Sequence, residues 1–252
     1  MTTAIATPGP IARRAGRPRH DWGRAVRALQ RLFADKEDTS QVFAIMWALN
    51  GRAHAEDYAR LLSTPDGGRI AYERVEFAGR LMDEAWVASF PAGSVGAAYR
   101  DFITAQHFTP QGMIDESHKG IPDEELDARH PYAWWFRRMR DVHDVWHVLT
   151  GYGRDALGEI CMVAFSYQET RGPGWALIAV GGLVRCHGPA RWAARRAIIE
   201  ARGRARRAAW LPALDYERLM FEPLGAARAR LGLTPPRAYE AVSPELRDLA
   251  VV

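Results

Sequence analysis

The chain has 252 residues, of which 48% are hydrophobic and 25% are charged, so it can bury the core of one large domain. Its two cysteines, Cys161 and Cys186, exclude a disulfide framework and indicate a reducing compartment. The formal net charge of +4 comes almost wholly from arginine, a compositional bias that by itself gives no argument for a nucleic-acid partner.

The chain begins with a basic segment, MTTAIATPGPIARRAGRPRH, that lacks the apolar core of a secretory signal. Its small residues, prolines and arginines predict that residues 1–20 are a disordered basic arm, with a weak transit peptide as the alternative. The longest uncharged apolar run, residues 175–184, is too short for the roughly twenty residues that a bilayer core requires. We therefore expect a protein that is soluble or peripheral on a membrane.

The first predicted helix covers residues 21–35, with Asp21 as its N-cap. Its apolar positions fall on one helical face: Trp22, Val26, Leu29, Leu32 and Phe33. A second, very apolar helix over 39–50 is predicted to stop at Gly51, and a third ends at a Pro-Asp-Gly-Gly turn.

The rest of the chain continues the helical pattern with one long interruption. Residues 69–87 are ambiguous at their start and helical later, and residues 90–108 predict a loop and then a helix. Residues 109–133 form the longest irregular stretch, which we interpret as a lid or a wrapped surface loop. Further helices are predicted at about 134–150, 155–170, 175–186, 190–209 and 213–232, before a Pro-rich tail. Because no run of alternating residues predicts strands, the expected fold is all-α, a single multi-helix domain over residues 21–252.

The segment RDVHDVWHVLTGYGRDALGEICM, residues 140–162, places titratable groups among strongly apolar residues. His143 and His147 are four residues apart and therefore lie on one helix face, one turn from each other. Asp144 precedes His147 by three residues, so the three side chains form a compact triangle. Burying such groups without partners costs several kcal/mol, or roughly 2–7 for a single polar group. Something in the interior is expected to satisfy them together.

A fourth group is close to this triangle in the predicted structure. Gly151 and Gly153 should end the helix of the histidines, and Asp155 can cap the next helix. Glu159 then lies in the first turn or so of that second helix, and it closes on the triangle if the two helices pack as a hairpin. Two imidazoles and two carboxylates suit Zn²⁺, Mn²⁺ or Fe²⁺. The residues thus predict a metal site between two adjacent helices.

Several other interpretations share parts of this pattern. A buried polar cluster without a metal satisfies the same spacing. The zincin motif H-E-x-x-H has a glutamate where this chain has Asp144, so a metalloprotease fits poorly. Metal-dependent phosphohydrolases with a His-Asp pair need an earlier histidine and a later aspartate, and nothing selects His107 or Asp215 for those roles.

The wider segment RRMRDVHDVWHVLTGYGRDALGE resembles the signature H-D-x-x-H-x₁₁-E of the family of the ubiquinone (coenzyme Q) biosynthesis protein that is the fourth Coq member. FPAGSVGAAYRDFI, PDEEL and LPALDYERLMFEPLGAARARLGLTPP are also similar to family segments. The resemblance covers roughly residues 22–240 and is strongest over 90–165 and 211–236. One departure is the segment between Leu126 and His143, which is several residues longer than is usual in the family.

The resemblance implies which residues bind the metal and what the protein does. Carried over position by position, the family's ligands fall on His143, Asp144, His147 and Glu159, and no catalytic residue is assigned beyond them. They would hold one divalent ion, zinc by preference, with manganese, iron or cobalt as alternatives. The implied activity is that of a lyase in ubiquinone biosynthesis, removing the ring carboxylate of a polyprenylated 4-hydroxybenzoate, oxidatively in the usual description. The alternative is a non-catalytic, lipid-binding scaffold with a structural metal.

The implied partners are a polyprenylated aromatic lipid, other ubiquinone biosynthesis proteins and an anionic membrane surface, with a homo-oligomer left open. We expect a bacterial cytoplasmic protein, peripheral on the inner face of the membrane. Residues 190–210 support the membrane contact, because they carry seven arginines beside Trp192, Ile198, Ile199 and Trp210. A solvated helix face is the alternative interpretation. Nothing in the sequence supports a nucleic-acid partner, because no aromatic-basic motif accompanies these arginines.

Overall fold

The computed structural model of the chain describes residues 20–35, 38–105, 109–126 and 130–251, so almost all of the predicted basic arm lies outside the described residues. The first half of the chain forms these helices: α1 (Trp22–Ala34), α2 (Ser40–Leu49), α3 (Gly51–Leu62), α4 (Gly67–Glu73), α5 (Phe77–Leu81), α6 (Glu84–Ala88), α7 (Val95–Ala105), α8 (Pro110–Gly120) and α9 (Asp123–Leu126). The second half forms these helices: α10 (Pro131–Asp141), α11 (His143–Thr150), α12 (Ala156–Thr170), α13 (Pro173–Arg185), α14 (Arg191–Ala205), a 3₁₀ turn (Leu211–Ala213), α15 (Tyr216–Leu219), α16 (Leu224–Arg230), α17 (Arg237–Glu240) and α18 (Pro244–Arg247).

The fold is a single all-α domain, which confirms the predicted class. Extended pairing within the described ranges is limited to two isolated bridges, Ser94 with Pro223 and Cys186 with Val251. Across those same ranges, no helix is both long and apolar enough to cross a bilayer. Cys161 and Cys186 are buried and unpaired, as expected from the absence of a disulfide framework.

The central helix is α12, which is buried over most of its surface. It packs against α14 on one side and α13 on another, while α1, α2 and α8 form a second group of contacting helices linked to it through α13. The core that results is apolar and continuous from α1 to the C-terminal segment. This arrangement leaves α12 facing α10 and α11 across a cavity, where the candidate site lies.

The first helix begins where it was predicted, and Leu29 and Leu32 pack against the core as expected, but two other predicted apolar positions are exposed. The side chain of Asp21 accepts a hydrogen bond from the backbone amide of Arg24 (2.9 Å) and caps α1. Trp22 and Val26 are 50% and 43% exposed, whereas Ala25 and Ala28 are buried. The small alanines let α1 approach α2 closely, and this contact outweighs the burial of larger side chains one position away.

Two sequence predictions about segment limits were wrong. Residues 109–133 are not one irregular stretch, because Pro110 starts α8 after the side chain of Thr109 caps it. The predicted helix over 213–232 is broken by extended backbone at Leu214 and again at Pro223, so α15 and α16 are separate short helices. The predicted stop of α2 near Gly51 is correct, since α2 ends at Leu49, but the third helix already begins at Gly51.

Trp134 and Trp135 in α10 are buried core residues. They pack in a second apolar cluster together with Leu61 and Ile70. Phe136, the next residue, instead lines the cavity beside α12. The elongated segment before His143 therefore supplies both packing and one wall of the cavity.

Two buried acids lie beside this second cluster, on α3 and at the end of α12. Burial raises the pKa of Asp57 to about 8, and Arg60 only partly offsets this rise. Burial also raises the pKa of Glu169 to about 8, although the backbone amide of Leu211 donates a hydrogen bond to it. Each carboxyl is thus neutral in the folded protein at a pH where it would be ionised in the unfolded chain.

We therefore expect the free energy of unfolding to fall as the pH rises from about 4 to about 8. A pKa raised by folding gives a stabilisation that is complete below about pH 4 and is lost as the pH rises through about 8. Asp57→Asn should raise the free energy of unfolding at about pH 8.5 by roughly 1–2 kcal/mol and flatten its pH profile. Urea titrations of the wild type, this variant and the exposed control Asp101→Asn measure the effect. Parallel profiles for all three proteins would contradict it.

Candidate metal centre

The two histidines lie at the start of α11, directly after the end of α10. Val142 is fully buried at this junction and keeps helical backbone angles, so the two helices run almost continuously into each other. The side chains of His143 and His147 meet with ring centroids 4.7 Å apart. The candidate ligand atoms of His143, Asp144 and His147 all lie within 4.8 Å of one another. The predicted triangle is therefore present.

His147 is held in one orientation by its surroundings. Its Nδ1 lies 3.1 Å from the backbone carbonyl oxygen of Tyr152, and because that oxygen can only accept, Nδ1 carries the proton. The ring of Phe102, on α7, stacks on the imidazole at 5.7 Å. Nε2 of His147 then faces the Glu159 carboxylate, 3.5 Å from Oε2, and has no hydrogen-bond partner. Two acceptors that face each other require a cation or a proton between them.

Glu159 lies in the first turn of α12, and its side chain is 32% exposed. It contacts His147 but is not part of the compact group formed by the other three predicted ligands. The guanidinium of Arg154 lies between the two carboxylates. Its Nη1 is 3.4 Å from Oδ1 of Asp144, and its Nε is 3.2 Å from Oε1 of Glu159. Arg154 therefore connects the acids of the two helices.

The electrostatics of the site keep both carboxylates ionised. Burial alone would raise the pKa of Asp144, but His143, Arg154 and His147 outweigh this effect and lower it. Burial acts in the same way on Glu159, and His147 with Arg154 again lowers the pKa below its usual range. Burial would lower the pKa of His147, yet Glu159 raises it. The site thus concentrates negative charge beside imidazole nitrogens, which is the donor chemistry of a divalent cation.

A single ion fits this set of donors. Atoms bound to a common Zn²⁺ at about 2.0–2.2 Å lie roughly 3–4 Å from one another, so small side-chain rotations would close the observed group. Nε2 of His147 is buried without a hydrogen bond, a condition that an ion would relieve. The hydrogen bond from Nδ1 to the carbonyl of Tyr152 is the outer contact that fixes a ligating histidine.

The loop between α11 and α12 is anchored from the C-terminal segment. Gly151 ends α11 with a φ of 81°, a left-handed conformation that glycine adopts without strain. Asp155 caps α12 through the amide of Gly158 (2.9 Å), as predicted, and its other oxygen accepts a hydrogen bond from the hydroxyl of Tyr239. Asp248 accepts a hydrogen bond from the amide of Ala156 (3.0 Å). The predicted tail is thus part of the framework that holds the site.

The site opens on a cavity of about 770 Å³ between α12 and the α10–α11 pair. Its wall follows α12 from Glu159 to Thr170, a length of roughly 16 Å at a rise of about 1.5 Å per residue. Most of the wall between these ends is apolar, with contributions from Phe43, Met46, Met113, Phe136, Val163 and Ile178. Arg154, Asp155 and Glu159 lie at the end where His143 lines the cavity. The cavity can therefore take a long apolar ligand with a polar head.

Sequence reasoning did not identify Arg154, Phe102 or the carbonyl of Tyr152 as parts of the site. Arg154 lies within the motif segment, between the expected ligands His147 and Glu159. A basic residue at this position was the signal that could have identified it as part of the site. Phe102 carries no such signal, because only the packing of α7 on α11 brings it there. Of the phosphohydrolase alternatives, His107 lies outside the described residues, and Asp215 caps α15 and pairs with Arg69 (2.6 Å).

The fold and the site define a class of protein: an all-α domain with a His/carboxylate centre at the polar end of an apolar cavity. The chain belongs to the family of the coenzyme Q (ubiquinone) biosynthesis protein Coq4, whose model matches residues 33–237. This result confirms the resemblance seen in the motif.

Individual relatives agree with the family match. The mitochondrial ubiquinone biosynthesis protein COQ4 homologs of Rattus norvegicus and Homo sapiens are each 31% identical over 173 residues. The match covers 68% of this chain and 62% of each relative, so it spans less than two thirds of their length. A crystal structure of a Nostoc punctiforme protein, provisionally described as a ubiquinone biosynthesis protein, has the same fold. It matches with a TM-score of 0.64 at 20% identity, over 86% of this chain and all of that one.

Proposed function

We propose that this protein acts in ubiquinone biosynthesis by removing the ring carboxylate of a polyprenylated 4-hydroxybenzoate at a centre formed by His143, Asp144, His147 and Glu159. The observation that carries the proposal is the position of this centre at the polar end of a long apolar cavity. A prenylated aromatic acid has the same division, with a charged head and an apolar tail. Membership in the Coq4 family supports the pathway.

The residues of the cavity would bind and orient such a substrate. The apolar wall along α12 suits the prenyl tail, because burying apolar surface contributes roughly 25 cal/mol per Å². The tail then directs the ring toward the histidine end. There the partly buried side chains of His143 and Arg154 line the cavity, and their low exposure strengthens charge interactions with the substrate carboxylate.

Decarboxylation breaks the bond between the ring and the carboxylate carbon, and the electron pair remains on the ring. The para hydroxyl supplies electron density to the ring carbon that bears the carboxylate, which favours attack there by a proton or an oxygen electrophile before CO₂ leaves. A bound divalent ion would act as a Lewis acid on the carboxylate or on an attacking oxygen. A proton replaces the carboxylate in simple decarboxylation. In the oxidative version a hydroxyl replaces it: one oxygen atom of O₂ enters the ring, and the other leaves as water with two electrons from an added reductant and two protons.

The test is conversion of a 3-polyprenyl-4-hydroxybenzoate by metal-loaded wild-type protein. We expect release of CO₂ and a product that lacks the carboxylate. Mass spectrometry of reactions in air and without air distinguishes the simple product from one that has gained an oxygen atom. Tight binding of the acid with no turnover, even after addition of the other ubiquinone biosynthesis proteins, would contradict the enzymatic proposal.

A non-catalytic scaffold is the second candidate, and one observation favours it. Arg154 pairs with both carboxylates of the site within the chain, which is compatible with a closed structural cluster. Such a protein would bind the prenylated intermediate and present it to the other biosynthesis proteins. The same conversion experiment separates the two candidates.

We also propose that α14 contacts anionic lipid. Trp192 and Ile199 are 65% and 64% exposed on this helix, seven residues apart and so on one face. Five of the seven arginines in this segment are exposed beside them: Arg191, Arg196, Arg202, Arg206 and Arg207. Arg204 does not contribute, because it is buried and donates to the carbonyls of Thr150 and Thr234.

Co-sedimentation with liposomes tests this contact. Binding should increase with the fraction of anionic lipid and decrease with salt, because each exposed cation near the surface contributes about 1 kcal/mol. The double variant Arg196→Gln/Arg202→Gln should therefore bind roughly tenfold or more weakly. Arg52→Gln, which removes an exposed arginine paired with Glu56 on α3, is the matched control. Equal recovery on neutral and anionic vesicles would support the solvated-face interpretation instead.

A further inference from the structure

Arg154 contacts two residues that the proposed metal would bind. Its side chain is 13% exposed and bridges Asp144 and Glu159 at 3.4 and 3.2 Å. It also lines the cavity at the end where the head of a ligand would lie. A divalent ion held by these carboxylates would take over the charge that now attracts the guanidinium.

The charge of the site shows what this replacement would do. With neutral imidazoles, two carboxylates and one guanidinium leave one negative charge in excess. Adding a divalent ion reverses this balance to one positive charge in excess. A partly buried positive charge is costly until it is paired. The ion-loaded site therefore has the correct charge for a ligand with one negative charge.

The other charged groups along the described cavity wall have partners of their own. Arg140 pairs with Asp141 at 2.7 Å and donates to Ser117. Glu116 pairs with Lys119 on the same helix. Because these pairs lie outside the proposed metal ligands, an ion would leave them unchanged. Arg154 differs from them, because the ion would neutralise Asp144 and Glu159, the two carboxylates that it bridges.

We propose that Arg154 is the anion-recognition residue of the cavity: it bridges Asp144 and Glu159 in the ion-free protein and pairs with the carboxylate of an aromatic acid when a divalent ion is bound. This inference rests on the proposed function, since it requires the ion. The planar guanidinium matches a carboxylate with two parallel N–H donors, a geometry that a lysine cannot reproduce. A phosphate monoester would share the chemistry but would bring two charges to a site with one in excess.

The experiment measures binding rather than turnover. Calorimetry compares 3-geranyl-4-hydroxybenzoate with its uncharged amide on protein loaded with one equivalent of Zn²⁺. In the wild type the acid should bind roughly tenfold or more tightly than the amide, because a charge-assisted hydrogen bond discriminates on that scale. Arg154→Gln should lose this preference, and Arg154→Lys should retain part of it. Arg230→Gln, which removes an exposed arginine paired with Glu222, should retain it fully.

Further measurements separate this inference from a structural role and from the proposed function. Zn²⁺ affinity, measured by chelator competition, should be unchanged or higher in Arg154→Gln, because a competing cation has been removed. Loss of Zn²⁺ binding in this variant, or an acid preference that persists in it, would overturn the inference alone. Failure of the wild type to bind Zn²⁺ would overturn both proposals. Geranyl phosphate serves as the third ligand, and binding tighter than the acid that depends on Arg154 would overturn the assignment of a carboxylate.

Discussion

His147→Ala should lower metal content and thermal stability together. The wild type is expected to copurify with about one divalent ion per chain, and the variant with little. An ion present at 100 times its dissociation constant stabilises the folded state by about 2.7 kcal/mol. In a chain of this size, a change of that order moves the midpoint of thermal unfolding by roughly 5–10 °C. Elemental analysis and melting curves with and without a chelator measure the two effects.

The chelator distinguishes loss of the ion from loss of packing. His147 is buried, so its truncation also leaves a cavity and destabilises the core in any case. The wild type should lose stability when the chelator is added, whereas His147→Ala should not respond. His143→Ala, at a partly buried ligand position, should behave like His147→Ala. His187→Ala, at an exposed histidine outside the site, should respond like the wild type. A wild type without metal and without a chelator response would refute the predicted centre.

The parts of this site that sequence reasoning predicted depend on local geometry. Residues four apart on a helix share a face, so the positions of His143 and His147 followed from spacing alone. The ends of helices are also encoded locally, and Gly151 and Asp155 occupy the predicted positions at the end of α11 and the start of α12. These features require no knowledge of the rest of the fold.

The close contact of Glu159 with His147 required more than spacing. The prediction that Glu159 reaches the histidines required α11 and α12 to pack as a hairpin. The C-terminal segment holds the loop between these helices through hydrogen bonds of Tyr239 and Asp248. Nothing in the sequence near residue 239 indicates a contact with residue 155. Tertiary packing also decides where Arg154 lies, because its two partners come from different helices.

The errors in the fold have the same origin. α8 has a polar sequence whose apolar residues give little periodic signal, and its position depends on packing against α2. Gly120 of α8 lies so close to α2 that an added Cβ would be 2.5 Å from the backbone oxygen of Ser40. In α1, Ala25 and Ala28 are buried, whereas Trp22 and Val26, which the sequence pattern favoured, are exposed. Close approach of backbones is the feature that apolar patterns do not reveal.

Glu159→Gln should abolish the proposed reaction while leaving the protein folded. Glutamine has nearly the shape of glutamate but supplies a neutral, weaker ligand, and it leaves the ion with one carboxylate fewer. Changes to residues that merely support metal ligands cost roughly 10–100-fold in metal affinity or activity, so loss of a direct ligand should cost at least about 100-fold. Turnover of the prenylated acid by protein loaded with excess Zn²⁺, together with circular dichroism, measures the effect.

The control for this variant is a second glutamate of the same cavity. Glu116 lines the wall but pairs with Lys119 on α8, outside the proposed metal ligands. Glu116→Gln changes the charge of the cavity by the same amount and should therefore retain most of the activity. If both variants lose turnover equally, the effect comes from cavity charge and Glu159 has no special role as a ligand. If Glu159→Gln keeps full activity and full metal content, the centre is limited to His143, Asp144 and His147, the three residues whose ligand atoms already lie within 4.8 Å of one another.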